Sequence, residues 1–300
     1  MHDMVTIKVP ATSANLGSGF DSLGLALSLY NTVEMAENDE LDIYSNDGSF
    51  VPKTDQNLIY KTVQQTFAAC GKPFKSLKMG QCNPIPMARG LGSSSACIAA
   101  GVVGANELMG HPLSKDDMLA LACEMEGHPD NVAPAILGGF VASVMDNKRV
   151  YTVRRNINDS ICFAAFVPGF KLLTEKARAA LPVEVTHKDA VFNLSRSALV
   201  AAAFCEERYE LLGVATQDVL HQQYRLPLIP GGAAIIEKTR EIGAIASFVS
   251  GAGPTVLAIV PTYSANSFFE KAQEMLLQDE NTADFTIHKL KACNEGVQVI

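Results

Sequence analysis

The sequence of 300 residues has no apolar run that approaches the length of a membrane span. A spanning helix needs about 18 or more consecutive apolar residues. The opening segment, MHDMVTIKVP, also lacks the basic region and apolar core that are typical of a secretory leader. These two absences predict a cytoplasmic protein without a membrane partner.

Positive charge is also scarce in this chain. It has 24 Lys and Arg against 32 Asp and Glu, which gives a formal net charge of -8. Nucleic acids and anionic membranes bind basic surfaces, so we expect neither as a partner. An anionic small molecule would have to be met by local positive groups.

Disulfide and metal motifs of cysteine are missing as well. The chain has no C-x-x-C pair and no Cys and His residues at the spacing of a metal site. Its cysteines are scattered and lie mostly in apolar stretches, so we expect buried free thiols in a reducing compartment. They are Cys70, Cys82, Cys97, Cys123, Cys162, Cys205 and Cys293.

Length and pattern together predict two lobes. A chain of 300 residues suggests about two domains of ~100 to 200 residues each. Strand-like and helix-like segments alternate in both halves, which favours an α/β or α+β protein. The polar segment NINDS marks the predicted crossing, so we divide the chain into residues 1–157 and 158–300. Clefts between lobes often bind ligands, so we expect the site there.

The individual elements follow from hydrophobic periodicity and from turn and cap signals. Ser114 and Asp117 have the spacing of a capping box at the start of one helix. The predicted strands are 5–9, 29–36, 41–45, 76–82, 139–145, 149–155, 161–167, 244–250, 255–260 and 285–290. The predicted helices are 58–69, 97–109, 116–126, 174–181, 189–206, 233–242 and 264–277.

Residues 86–96 read PMARGLGSSSA and lead into the apolar segment CIAAGVVGANELM. Glycines let the backbone approach an anion closely, and a helix start presents unpaired N–H groups and the positive end of its dipole. This combination predicts a phosphate-binding loop. The lysine motif G-x-x-x-x-G-K-[ST] is absent, so backbone amides and serine hydroxyls would make the contacts. From this segment alone, an ordinary turn with a serine cap stays open.

Two further segments are rich in residues that can contact a ligand. Segment 10–27 contains Asn15, which can donate and accept hydrogen bonds, and Asp21, which can bind an ammonium group. Segment 249–259, VSGAGPTVLAI, is a tight turn whose small residues allow a close approach of the backbone. A plain turn is the open alternative for each segment.

Carboxylates and arginines complete the set of candidates. Glu124 and Glu126 lie at a predicted helix end, where the dipole disfavours a carboxylate and a bound cation would relieve the repulsion. Magnesium fits best, because it takes oxygen ligands and bridges to nucleotide phosphates. Arg178 and Arg225 carry guanidinium groups that match a carboxylate or phosphate in two-point contacts. Solvated surface positions are the open alternative for all four side chains.

These segments together are similar to those of a known family. PATSANLGSGFDSLGLAL, PIPMARGLGSSSA and SGAGPTVLAI, in this order, resemble the three motifs of the GHMP small-molecule kinases. SANLGSGFD, HPDNVAPAILGG and TEKARAALP resemble the homoserine kinase branch of that superfamily. The resemblance covers essentially the whole chain. It implies an α+β two-lobe GHMP kinase fold, with a ribosomal-S5-domain-2-like amino-terminal ATP-binding lobe that contains a left-handed β-α-β unit, and a ferredoxin-like carboxy-terminal lobe.

The resemblance also implies ATP- and Mg2+-dependent phosphorylation of the side-chain hydroxyl of L-homoserine to O-phospho-L-homoserine, a step of threonine biosynthesis. The implied ATP contacts are Asn57, Pro86, Met87, Ala88, Arg89, Gly90, Leu91, Gly92, Ser93, Ser94, Ser95 and Ala96. The implied substrate contacts are Asn15, Asp21, His128, Asn131, Thr174, Arg178, Arg225 and Gly251. The implied metal ligands are Ser94 and Glu124, with Glu126 the open alternative to Glu124.

Phosphoryl transfer depends mainly on in-line positioning and neutralisation of charge. The expected catalytic residues are therefore Arg178, Ser94 and Glu124, and we expect no dedicated base, since Asp21 is assigned to substrate binding. Two arginines with Asp21 favour an amino-acid substrate. A GHMP kinase for another small alcohol and a non-catalytic GHMP-fold binding protein are the alternatives. A homodimer is compatible with the sequence.

Overall fold

A computed structural model of the protein describes residues 4–300. The strands are β1 (Val5–Ala14), β2 (Leu23–Asn38), β3 (Asp42–Ser45), β4 (Ser76–Cys82), β5 (Phe140–Asp146), β6 (Arg149–Arg155), β7 (Ile161–Val167), β8 (Ala246–Val249), β9 (Val256–Pro261), β10 (Thr286–Leu290) and β11 (Gln298–Val299). The α-helices are α1 (Leu58–Ala69), α2 (Ser93–Leu108), α3 (Lys115–Glu126), α4 (Pro129–Leu137), α5 (Thr174–Ala179), α6 (His187–Cys205), α7 (Leu212–Ala215), α8 (Gln222–Arg225), α9 (Gly232–Glu241) and α10 (Ala265–Leu277).

The first lobe is built on a seven-stranded sheet. Its main path runs β11-β1-β2-β4-β3, and β5 extends it by pairing with β2 and with β6. The 16-residue strand β2 pairs with β1, β4 and β5, so it organises the whole sheet. β3 and β4 are parallel neighbours joined through α1, which forms a β-α-β unit.

The second lobe has a four-stranded antiparallel sheet in the order β10-β7-β9-β8. Numbered within the lobe, this order is 4-1-3-2, with helices after the first and third strands. That is the arrangement of a ferredoxin-like domain. β7 is buried along its length because helices and neighbouring strands cover it. The predicted two-lobe α+β fold is therefore confirmed.

The two lobes share a hydrophobic core. The ring of Phe140 on β5 stacks on Phe204 of α6 with 4.5 Å between centroids. The end of the chain also returns to the first lobe, where Val299 pairs with Ile7 of β1. Within residues 4–300, the structure has no helix long and apolar enough to cross a membrane.

Local signals predicted most elements well, and the Ser114–Asp117 capping box is present at the start of α3. One helix is absent from the predicted set: α4 begins at Pro129. Proline is tolerated at the first helical position because that N–H has no intrahelical partner. The short helices α7 and α8 were also missed, because four-residue helices carry little periodicity.

All seven cysteines are free thiols, as expected. Cys123, Cys162 and Cys293 are buried, while the other four are only partly buried, so the expectation of uniform burial was wrong.

Candidate active site

A cleft opens where the two lobes meet, and it contains every residue predicted to contact the substrate. Asn15, Asp21, His128, Asn131, Thr174, Arg178, Arg225 and Gly251 all line it. Part of the predicted phosphate-binding loop lines the same cleft, namely Ala88, Arg89, Gly90, Gly92, Ser93, Ser94 and Ser95. The structure thus joins two groups of residues that lie far apart in the chain.

The loop between β4 and α2 needs glycine at two places. Gly92 is the N-cap of α2 with a φ of 68°, and a Cβ there would lie 1.9 Å from the hydroxyl oxygen of Thr12. Gly90 has a φ of 75°, and its Cβ would lie 2.3 Å from the carbonyl oxygen of Ser250. Because Gly92 has no side chain, the first N–H groups of α2 have no side-chain cap, and Ser93, Ser94 and Ser95 line the cleft. This is the geometry of an anion site at a helix N-terminus.

The second lobe fixes the position of this loop. The Ser250 hydroxyl donates a hydrogen bond to the carbonyl oxygen of Gly90 at 2.6 Å and contacts the Ser13 hydroxyl at 2.8 Å. Arg89 donates from Nε to the carbonyl of Pro168 at 3.0 Å and from Nη2 to that of Gly169 at 2.6 Å. The loop is therefore clamped between the lobes before any anion binds.

Carboxylate oxygens stand directly beside the loop serines. The Ser94 hydroxyl donates to Oε2 of Glu126 at 3.1 Å, and the Ser95 hydroxyl donates to Oε1 at 2.7 Å. Glu126 is the last residue of α3, whose end lies against the start of α2. Hydroxyl and carboxylate oxygens are ligands that Mg2+ prefers, so this pair fits a magnesium ion.

The structure favours Glu126 over the predicted Glu124 as the partner of the loop. Glu124 is exposed and lies outside the cleft. Side chains two residues apart on an α-helix differ in direction by about 200°, so the two glutamates point to nearly opposite sides of the helix. Glu126 is three residues after Cys123, which faces the core, and so shares the inner face of α3.

The β1–β2 loop carries Asp21 into the cleft. Asn15 and Asp21 both have positive φ values, 69° and 54°, which Asn and Asp tolerate better than most residues. The Asn15 side chain holds the loop by donating to the carbonyl of Gly251 at 2.9 Å and accepting from the Asp21 N–H at 3.1 Å.

Asp21 forms a two-point ion pair with Arg178 of α5. Nη2 donates to Oδ1 at 2.7 Å and Nη1 donates to Oδ2 at 3.0 Å. The hydrogen bond to Asp21 raises the pKa of Arg178. The pair is about one third exposed, so its charges are accessible from the cleft.

Arg225 is a buried cation with spare hydrogen-bonding capacity. Its side chain is only 1% exposed, and burial, followed by the charge of Arg178, lowers its pKa to about 10. Nη1 donates to the carbonyl of Gly251 at 2.9 Å. Nε has no hydrogen-bond partner among the described residues. A buried unpaired donor is costly, so this arginine is prepared to bind an anion.

His128 and Asp130 form a hydrogen-bonded pair on the first lobe. His128 Nδ1 lies 2.7 Å from Oδ1 of Asp130, and this hydrogen bond raises the pKa of His128. Asn131 accepts a hydrogen bond from the Thr12 hydroxyl at 2.8 Å. These residues begin α4, and ligand atoms of His128, Asp130 and Asp21 all lie within 4.8 Å of one another in the cleft.

Several predicted ATP residues lie outside the cleft. Asn57 caps α1: its Oδ1 accepts the N–H of Ile59 at 2.9 Å, and its Nδ2 donates to the carbonyl of Pro52 at 2.9 Å. Its side chain is thus occupied by the helix start. Pro86, Met87, Leu91 and Ala96 are the loop residues that do not line the cleft.

Two functional candidates escaped the sequence reasoning. Asp130 is absent from the predicted contacts, although its spacing of two from His128 is a signal for a pair. His221 was not noticed at all; it is fully buried beside Arg225 with Nδ1 3.2 Å from Nη1. Its only sequence signal is the spacing of three from Asp218, whose carboxylate accepts the N–H of His221 at 2.9 Å.

Curated relatives resemble the chain over its whole length. The homoserine kinase of Clostridium beijerinckii is 44% identical over 299 residues, which cover 99% of each chain. The homoserine kinase of Caldicellulosiruptor saccharolyticus is 43% identical over 298 residues, which cover 99% of this chain and 96% of the relative. A crystal structure of homoserine kinase from Cytophaga hutchinsonii matches with a TM-score of 0.87 at 25% identity, covering 100% of this chain and 98% of that one.

Family models match a part of each lobe. Residues 57–139 match the GHMP kinases N terminal domain, and residues 200–292 match the GHMP kinases C terminal domain. The chain therefore belongs to the GHMP kinase family.

Proposed function

We propose that the protein transfers the γ-phosphoryl group of ATP to the side-chain hydroxyl of L-homoserine, forming O-phospho-L-homoserine and ADP. The observation that carries this proposal is the similarity to homoserine kinases at 43–44% identity along the whole chain. The cleft agrees with it, because a helix start suited to phosphate lines the same cleft as Asp21, Arg178 and Arg225.

The phosphates of ATP would bind at the start of α2. Gly92 leaves the first amides of the helix free of a side-chain cap, and a Cβ at this position would fill the space close to Thr12. Ser94 and Glu126 would hold Mg2+, and the metal would neutralise phosphate charge there. Glu126 takes this role in place of Glu124 because it alone of the two contacts the loop serines.

Each functional group of homoserine has a complementary partner in the cleft. Asp21 can bind the α-ammonium group, and Arg225 can bind the α-carboxylate. Arg178 forms its ion pair with Asp21 and lines the same cleft as the phosphate-binding loop, so it would supply a second cation there. A neutral alcohol or a sugar would leave the buried Arg225 without a carboxylate partner, which disfavours such substrates.

The rate enhancement would come from positioning and charge stabilisation. Both oxygens of Asp21 already accept hydrogen bonds from Arg178, and Asp130 is bonded to His128. We therefore propose that the chain uses no dedicated general base. Arg178, Ser94 and Glu126 would instead stabilise charge on the transferred group.

Other features stay predictions. These are the cytoplasmic location, a homodimer, and division of the chain into residues 1–157 and 158–300. The contact of Asn57 with ATP also stays a prediction, and its side chain caps α1 in the structure.

A substrate panel tests the proposal. ADP formation is followed with Mg-ATP and L-homoserine, L-serine, L-threonine, mevalonate or galactose, and kcat/KM is compared. We expect homoserine to exceed every other substrate by at least tenfold. A preference for mevalonate or galactose would overturn the assignment, and absence of turnover on all of them would favour a binding protein.

A further inference from the structure

The guanidinium of Arg225 is held from one side only. Nη1 donates to the carbonyl of Gly251 at 2.9 Å and lies 3.2 Å from Nδ1 of His221. These two contacts use both hydrogens of Nη1. Nε is buried and has no partner among the described residues. The donors left for a ligand are therefore on the edge formed by Nε and Nη2.

The contacts of His221 determine where its ring proton sits. Nε2 lies 2.7 Å from the carbonyl oxygen of Gly17, which can only accept, so Nε2 carries the hydrogen. Nδ1 faces the arginine, which can only donate, so Nδ1 is an unprotonated acceptor. If the ring were doubly protonated, the N–H of Nδ1 would face the N–H of Arg225 Nη1. His221 is therefore neutral in this arrangement.

Charged groups on the surrounding elements are compatible with this neutral ring. Asp218 approaches Nε2 at 3.7 Å and Asp21 lies on the adjoining loop; both carboxylates act to raise the pKa of His221, but burial is the larger effect. Burial lowers the pKa of His221, and the positive charge of Arg225 acts in the same direction. The ring is also enclosed by the aromatic side chain of Phe20, whose centroid is 5.3 Å away.

We infer that His221 is a positioning residue that presents the Nε–Nη2 edge of Arg225 to the substrate carboxylate, which then binds side-on. This inference rests on the proposed function, since it assigns the carboxylate of homoserine to that edge. The bond from Nε2 to Gly17 connects the same ring to the β1–β2 loop that carries Asp21. One neutral imidazole thus aligns the groups for both charges of the amino acid.

Two substitutions separate the two hydrogen bonds of the ring. His221→Gln places an amide nitrogen near the position of Nε2, so it retains the donor to Gly17 but loses the acceptor for Arg225. His221→Asn places an amide oxygen near the position of Nδ1, so it retains the acceptor but loses the donor. Gln223→Ala is the matched control, because Gln223 is an exposed residue of α8, the helix that His221 directly precedes.

Steady-state kinetics and calorimetric binding of L-homoserine without ATP provide the readouts. We expect His221→Gln to raise the KM and Kd for homoserine about tenfold while kcat and the KM for ATP change less than about twofold. His221→Asn should recover most of that loss, and His221→Gln should add nothing in an Arg225→Leu background. A merely structural role would instead change kcat, both KM values and the thermal midpoint together.

The remaining outcomes are distinct. If the wild-type protein phosphorylates homoserine but His221→Gln binds it normally, this inference is wrong and the proposed function stands. If the wild-type protein neither binds nor phosphorylates homoserine, both are wrong. Nitrogen NMR of the wild-type protein with labelled histidine tests the inference even if the variants do not fold. At pH 7 it should show His221 neutral with hydrogen on Nε2, and a hydrogen on Nδ1 would overturn the inference.

Discussion

Replacement of Glu126 by glutamine tests the predicted contact between α3 and the phosphate-binding loop. Glu126 accepts hydrogen bonds from Ser94 at 3.1 Å and from Ser95 at 2.7 Å. Hydrogen bonds to a charged group contribute about 1.5–3 kcal/mol, and those between neutral groups about 0.5–1.5 kcal/mol. Loss of the charge should therefore weaken each of the two bonds by about 1 kcal/mol.

If both interactions are needed to hold the loop in the transition state, a total of about 2 kcal/mol corresponds to roughly 30-fold in kcat/KM for Mg-ATP. The effect should be larger at limiting magnesium, because the variant also loses an anionic oxygen that would bind the metal. The assay is ADP formation at saturating homoserine over a range of Mg2+ concentrations.

Glu124→Gln is the matched control, since it makes the same chemical change on the exposed side of the same helix. We expect its kcat/KM to stay within about twofold of the wild type. Thermal unfolding of both variants shows whether α3 is intact. An equal or larger loss for Glu124→Gln, or normal activity of Glu126→Gln at every magnesium concentration, would refute the reasoning.

Three further substitutions test other parts of the cleft. Gly92→Ala should lower ATP affinity and thermal stability far more than Gly71→Ala. Both glycines have a similar positive φ, but only a Cβ at position 92 would meet a threonine hydroxyl, at 1.9 Å. Equal losses for the two variants in calorimetry and thermal unfolding would count against this. Asp130→Asn should lower the pKa of His128, measured by NMR titration of the imidazole, and an unchanged midpoint would contradict the pairing. Because the native pKa is raised, this pair stabilises the fold fully below pH ~6.5, and the contribution is lost as the pH rises through the native value. Arg225→Leu should raise the homoserine KM by tenfold or more with little change in kcat, which is the signature of uniform binding. A selective loss of kcat would instead place Arg225 at the transferred phosphate.

The phosphate-binding loop could be predicted because its signals are local. Glycines at two positive-φ positions and a helix that starts directly after them require no knowledge of distant residues. The choice between Glu124 and Glu126 also has a local signal, which is the helical periodicity of apolar residues in α3. The buried positions Leu119, Ala122 and Cys123 define the inner face of α3, and Glu126 continues that face.

The ion pair and the buried arginine could not be predicted in the same way. Asp21 and Arg178 are 157 positions apart, and only the packing of the two lobes brings them together. The burial of Arg225 and its contact with His221 depend on the position of the short helix α8, which has too few residues for a periodic signal. Resemblance to a family supplied these residues as candidates, but their partners required the structure.

Phosphorus NMR of a complete reaction tests the central claim most directly. The protein is incubated with Mg-ATP and L-homoserine, and the phosphorus products are identified and counted as the γ-phosphate signal disappears. We expect one O-phospho-L-homoserine for each ADP formed, with negligible inorganic phosphate, because the cleft brings the phosphate loop and the amino-acid site together. ADP accompanied by inorganic phosphate alone, or no consumption of ATP by the correctly folded protein, would contradict the account.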